Sequence, residues 1–123
     1  MNHTVRNYLI ELARKRTDQT VTYQRLSDDC KLNYTMDNPY HRKELGVILG
    51  DISRYEFLND RPLLSALVLR AGDNYEGDGF YKLAEELGFG KWQKLKEESI
   101  FEIIQINKSI EFWRNEEKYN LHK

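Results

Sequence analysis

Apolar residues recur along this chain at helical spacing, separated by short polar stretches. Val5, Tyr8, Leu9, Leu12 and Ala13 fall at i, i+3, i+4, i+7 and i+8, one face of an amphipathic helix. Thr4 is placed to cap it, and Thr17, Asp18 and Gln19 to end it. Residues 20–23 are β-branched and aromatic and predict a short strand. Thr22 is also a cap for a second helix, in which Tyr23, Leu26 and Cys30 share a face. Residues 31–39 are polar and irregular. A third helix is expected over residues 40–58, with Leu45, Ile48, Leu49 and Ile52 as its apolar stripe. Gly46, Gly50 and Ser53 make a second stripe. A glycine inside a helix costs about 1 kcal/mol relative to alanine, so another element is expected to pack closely there.

Asn59, Asp60, Arg61 and Pro62 signal a turn. Residues 63–69 are almost continuously apolar and predict a strand buried on both faces. Residues 71–79 read as an acidic, glycine-rich loop. Phe80, Leu83, Ala84 and Leu87 give a fourth helical face, with Gly88 in the position of a C-terminal cap. A long, broadly apolar helix is expected over residues 91–114, and a solvated tail over 115–123. The order is that of an α+β fold with a winged-helix-like core. The expected organisation is one domain, 1–123, with that core over 1–88, a C-terminal helix over 89–114 and the tail.

Charge narrows the choice of partner. There are 19 basic and 20 acidic residues, for a net charge of −1 at pH 7. That balance lacks the basic excess of many DNA-binding domains, whose affinity comes largely from phosphate neutralisation. One cysteine, Cys30, excludes an intramolecular disulfide and points to a reducing compartment. The first residues have no signal-peptide pattern, and no apolar run is long enough to span a bilayer. A soluble, cytoplasmic protein without a membrane partner is the expectation.

Three local patterns stand together: Thr22-Tyr23-Gln24-Arg25-Leu26, Arg61-Pro62-Leu63-Leu64-Ser65-Ala66-Leu67-Val68 and Gly77-Asp78-Gly79-Phe80-Tyr81-Lys82-Leu83-Ala84-Glu85-Glu86-Leu87-Gly88. Over residues 20–88 the chain resembles small uncharacterised bacterial proteins with Thr-Tyr-x-x-Leu, Pro-Leu-Leu-Ser and Gly-x-Gly-Phe patterns, which implies a shared fold and no activity. Its Thr22-Tyr23 helix start is also weakly similar to the winged-helix domain of the DNA alkyltransferases. Asn38-Pro39-Tyr40-His41-Arg42 matches their Pro-Cys-His-Arg motif in part, with Tyr40 where the acceptor cysteine would stand. In that family the motif follows the recognition helix, whereas here it precedes the third helix. Without a thiol, alkyl transfer cannot occur there.

Candidate chemistry is sparse. Cys30 follows Asp28 and Asp29, which disfavour a thiolate, and reads as a buried structural thiol. His3, His41 and His122 have no metal-ligand spacing, so no metal site is expected. The loop around Asp73, Asn74, Glu76, Gly77, Asp78 and Gly79 has neither the calcium-loop pattern nor the lysine of a phosphate loop. No catalytic set and no cofactor are expected. His41, Arg42 and Lys43 could hold a phosphate or carboxylate at a helix start. Together with Arg54, Tyr55 and Arg61 they form a candidate basic-aromatic surface for a nucleic acid or other partner. Trp92, Phe101 and Trp113 are core or, if exposed, an interaction helix, with a homodimer as one outcome. Two functions lead: a non-enzymatic binding module of winged-helix type that regulates through DNA, or a protein-interaction partner such as an inhibitor, antitoxin or immunity-type protein; an enzyme is the weakest reading and would need a deep polar pocket lined by His41, Arg54 and the loop over 73–78.

Overall fold

The computed structural model describes residues 1–72 and 76–123; Asp73 and Asn74 of the expected acidic loop lie, with Tyr75, outside the described residues. The chain is mixed α/β and mostly helical, with one small parallel sheet. Helix α1 spans His3–Ala13 and is capped by Asn2 rather than Thr4, the Val5 N–H donating to Asn2 Oδ1 at 2.9 Å. Strand β1 is Val21–Thr22, and Thr22 Oγ1 accepts the Arg25 N–H at 3.2 Å to start α2, Tyr23–Asp29. Helix α3, Pro39–Leu58, opens on Asn38, whose Oδ1 accepts the Tyr40 N–H at 2.9 Å. Pro39 takes the first helical position, where no N–H is needed.

Residues 63–69 are not the single strand their composition predicts. Leu64–Leu67 wind into a 3-10 segment, and only Val68–Leu69 extend, as β2. The two strands pair in parallel, Val21 opposite Val68 and Thr22 opposite Leu69. Leu63, Leu64, Ala66, Leu67 and Val68 are all buried. Their continuous apolar character records a central position, which serves a buried helical turn as well as a buried strand.

The core has two parts. One joins Val5, Leu9, Leu26, Leu45, Ile52 and Trp113; the other joins Leu63, Ala66, Phe80, Tyr81, Ala84 and Phe101. Ile106 packs against both. Helix α4 is Asp78–Glu86, followed by Gly88 at φ 93°, the left-handed position that glycine adopts without strain. The expected long final helix is broken. Helix α5, Trp92–Glu98, ends at Ser99 with φ 54°, and α6, Phe101–Arg114, starts afresh. Its inner face is Phe101, Gln105, Ser109 and Trp113. Gln105 Oε1 accepts the Leu63 N–H at 3.1 Å, and the Ser109 hydroxyl donates to the Leu63 carbonyl at 3.4 Å.

Residues 116–122 are a helix where a tail was expected. In α7, Glu116–His122, Asn115 Oδ1 accepts the Lys118 N–H at 3.0 Å, and two glutamates occupy the first turn. It docks on α1: the Tyr119 hydroxyl donates to Glu11 at 2.8 Å, the Arg14 guanidinium lies 3.8 Å from the Tyr119 ring, and Arg6 Nη2 donates to the His122 carbonyl at 2.8 Å. Arg6 also donates through Nε to Glu56 Oε1 at 2.6 Å, and Arg61 donates to Glu56 Oε2. All three side chains of this network are buried. Among the described residues no helix is long and apolar enough to cross a membrane.

Candidate functional site

The glycine stripe of α3 does not pack against a neighbouring element. A Cβ built on Gly46 would meet nothing within 4 Å, and one on Gly50 would meet only the Arg54 side chain. The close approach expected from the sequence is made by Ser53 alone, whose hydroxyl is 2.6 Å from that of Ser65 and accepts the Ser65 N–H at 3.1 Å. Gly46 and Gly50 instead floor an open groove. Two adjoining hollows of ≈ 330 and ≈ 500 Å³ make it up, sharing Tyr23, Gly46 and Gly79 in their walls. The first lies between α3 and α4. The second continues past Gln24 and Met36 to Arg70 and Gly77.

All three patterns singled out in the sequence meet here. Tyr23 and Gln24 come from the first, Ser65 from the second, and Gly77, Asp78, Gly79 and Phe80 from the third. Tyr23 ties the wall together: its hydroxyl is hydrogen-bonded to the Gly77 backbone, and a Cβ on Gly77 would stand 3.3 Å from that oxygen. Burial, with the nearby Glu76, pushes the Tyr23 phenol up to about 12.

Charge along the groove is uneven. Arg42, Lys43, Arg54, Arg70 and Lys82 line it, with Asp78 and Glu86. Both acids are already neutralised. Asp78 takes the Lys96 ammonium at 2.6 Å, and Glu86 takes Arg54 Nε at 2.6 Å and Nη2 at 3.0 Å. These partners hold both carboxyls below their ordinary range. Arg42 donates to the Met36 carbonyl at 2.6 Å, and Lys82 sits 5.1 Å from the Trp92 ring centre. Lys43 is exposed and makes no ion pair among the described residues. The edge formed by Arg42, Lys43 and Lys82 is therefore net positive, although the whole chain is not.

The sequence candidates divide accordingly. Arg42, Lys43 and Arg54 reach the groove, Arg54 as a neutralised cation. His41 does not line it; its Nδ1 accepts the Thr35 N–H at 3.0 Å and its ring lies 5.3 Å from that of Tyr34, which holds the turn before α3. Arg61 and Tyr55 stand at the other end of α3. Arg61 is buried on Glu56, which removes it from any binding surface, and Tyr55 lies between the guanidiniums of Arg6 and Arg61, 5.3 and 5.2 Å from its ring centre. Phe101 and Trp113 point inward, Trp113 with no exposed surface, and Trp92 is half-buried. The exposed apolar residues at the start of α6 are instead Ile100, just ahead of it, with Ile103 and Ile104, at 57, 54 and 43 %.

A larger hollow of ≈ 1150 Å³ lies between α1 and α2, where Glu11, Asp18, Asp28 and Asp29 outnumber Lys15 and Arg25. Cys30 lines it, partly buried, and burial followed by the Asp29 charge pushes its thiol up, against a nucleophilic role. Among the described residues no group of three or more potential ligands could hold a metal ion. Sequence reasoning missed a pair of buried acids beneath the groove wall, Glu76 and Glu102. Nothing in the local pattern marks either as buried, because Glu102 opens an exposed-looking turn and Glu76 sits in an acidic loop. No family model, curated protein or solved structure matches the chain.

Proposed function

We propose that the chain is a non-enzymatic binding module that takes the phosphate backbone of duplex DNA along the α3–α4 groove. The observation behind this is the net positive edge of Arg42, Lys43 and Lys82 beside a floor of exposed helix backbone at Gly46. Backbone without side chains lets a rigid polyanion approach closely, and exposed cations that form no close ion pair among the described residues neutralise phosphate on contact. The winged-helix reading draws support from the succession α1, β1, α2, α3 and β2, with a 3-10 segment before β2, and the two strands pair directly and in parallel. Three phosphate contacts would give a salt slope of about −2.7, or a loss of about fortyfold in affinity between 50 and 200 mM salt. The test is anisotropy of a labelled mixed-sequence duplex across a salt series. The R42E/K43E variant should bind weakly with a shallower slope, and unchanged binding by it would refute the reading.

A second reading, capture of a protein partner, is favoured by the exposed isoleucines of α6 with Phe89, which is 40 % exposed. Exposed clusters of large apolar side chains on soluble domains mark contacts, and a second copy of the chain is one such partner. An Ile103→Arg variant that abolishes self-association, with DNA binding intact or absent, would support it.

A further inference from the structure

Glu76 stands just ahead of α4, 1 % exposed, and neither carboxyl oxygen has a hydrogen-bond partner among the described residues. Glu102 of α6 is buried beside it, with Oε2 also unpartnered. Among the described residues this spot gathers Tyr23 from α2, Tyr81 from α4 and Glu102 from α6, while Arg70 after β2 acts on both tyrosines. The Tyr81 hydroxyl is hydrogen-bonded to Glu102 and, being buried beside two acids, is itself pushed up. The amino end of α4 favours a negative charge at Glu76. Burial and the Glu102 charge outweigh it, raising Glu76 to about 10. Two acids facing each other in an apolar place cannot both stay ionised without a cation or a proton between them. A proton on Glu76 meets that requirement, in keeping with its burial and its unpartnered oxygens.

We propose that Glu76 is a proton-held latch on the groove wall: as the neutral acid it stays buried against Glu102 and holds Gly77 and Gly79 in place, and on ionisation it leaves. Its release would shift the segment to which Tyr23 is bonded and bring a negative charge to the phosphate-binding edge. Only this second consequence rests on the proposed DNA function. The latch itself is a property of the fold. The folded chain keeps a proton that the unfolded chain gives up, so stability is greatest below the ordinary carboxylate range and falls as pH rises toward 10.

Equilibrium unfolding of the full chain and of Glu76→Gln, from pH 6 to pH 9, tests this. Wild-type folding constants should fall relative to the variant by up to about tenfold per pH unit, and the Gly77 amide resonance should move with pH only in the wild type. Glu102→Gln removes the neighbouring charge and should give an intermediate slope, which keeps the test open should Glu76→Gln not fold. Parallel pH profiles would overturn the proposal. So would a stabilisation of the wild type by Mn²⁺ or Ca²⁺ that erases its pH slope, because the pair would then be a cation site. Duplex binding measured at the same pH values should weaken with pH in the wild type more than in Glu76→Gln. If neither protein binds duplex at any pH while the stability profiles diverge, the DNA function fails and the latch stands.

Discussion

Replacing Glu56 by alanine leaves two guanidiniums facing each other inside the protein. Glu56 has no exposed surface, Arg6 is 5 % and Arg61 8 % exposed, and each arginine spends its Nε on a separate oxygen of this carboxylate. One Arg61 nitrogen, Nη2, already lacks a partner. Removing one member of a buried ion pair costs about 3–5 kcal/mol, because the remaining charge is stranded. Here two charges are stranded, so the upper part of that range is expected, against the 5–15 kcal/mol that holds a typical domain together. With an unfolding entropy of about 2.1 cal/mol/K per residue, the melting temperature should fall by roughly 15–19 °C. Urea unfolding should show a lower midpoint with an unchanged slope. Substituting all three residues together, Arg6→Met, Glu56→Leu and Arg61→Met, should recover most of the loss, because apolar groups of similar volume replace the network. A single-variant loss below about 1 kcal/mol would refute the reasoning, since losses that small are typical of exposed pairs. So would a triple variant less stable than the single one.

Gly46→Ala should stabilise the protein by up to about 1 kcal/mol in chemical unfolding, because α3 gains helix propensity and the added methyl meets nothing; destabilisation would mean that the stripe is covered after all. Cys30 should react with iodoacetamide at pH 7 more slowly than the same thiol in the denatured chain, since burial and Asp29 both disfavour its thiolate. Equal rates in the two states would contradict that.

The local signals were legible where a short-range rule decides the outcome. Thr22 caps α2, Gly88 follows α4 in a left-handed conformation, and the apolar stripe of Leu45, Leu49 and Ile52 faces the core. Residues 63–69 misled because a buried 3-10 turn and a buried strand need the same side chains. The final helix breaks at Ser99, a residue with no strong preference for the left-handed region, so periodicity runs across it unmarked. The helix of Glu116–His122 did have a signal, Asn115 ahead of two glutamates, but its stability comes from Arg6, Glu11 and Arg14, about a hundred residues away. Long-range pairing of that kind also hid Glu56 between two arginines and Glu76 against Glu102. At the candidate groove, Arg42 and Lys43 line the wall from α3, and Arg54 lines it paired with Glu86, a contact that no local pattern marks. The meaning of the glycines inverted: a stripe of small residues is equally suited to a close neighbour and to an open floor, and only the position of α4 distinguishes the two.

The groove is the central claim, and amide chemical-shift mapping with a short mixed-sequence duplex at low salt addresses it most directly. The account predicts shifts concentrated at Lys43, Gly46, Gly50, Gly77 and Gly79, fading together as salt rises, while the amides of Ile103 and Ile104 stay still. Shifts confined to α6, or none at any salt concentration, would contradict it.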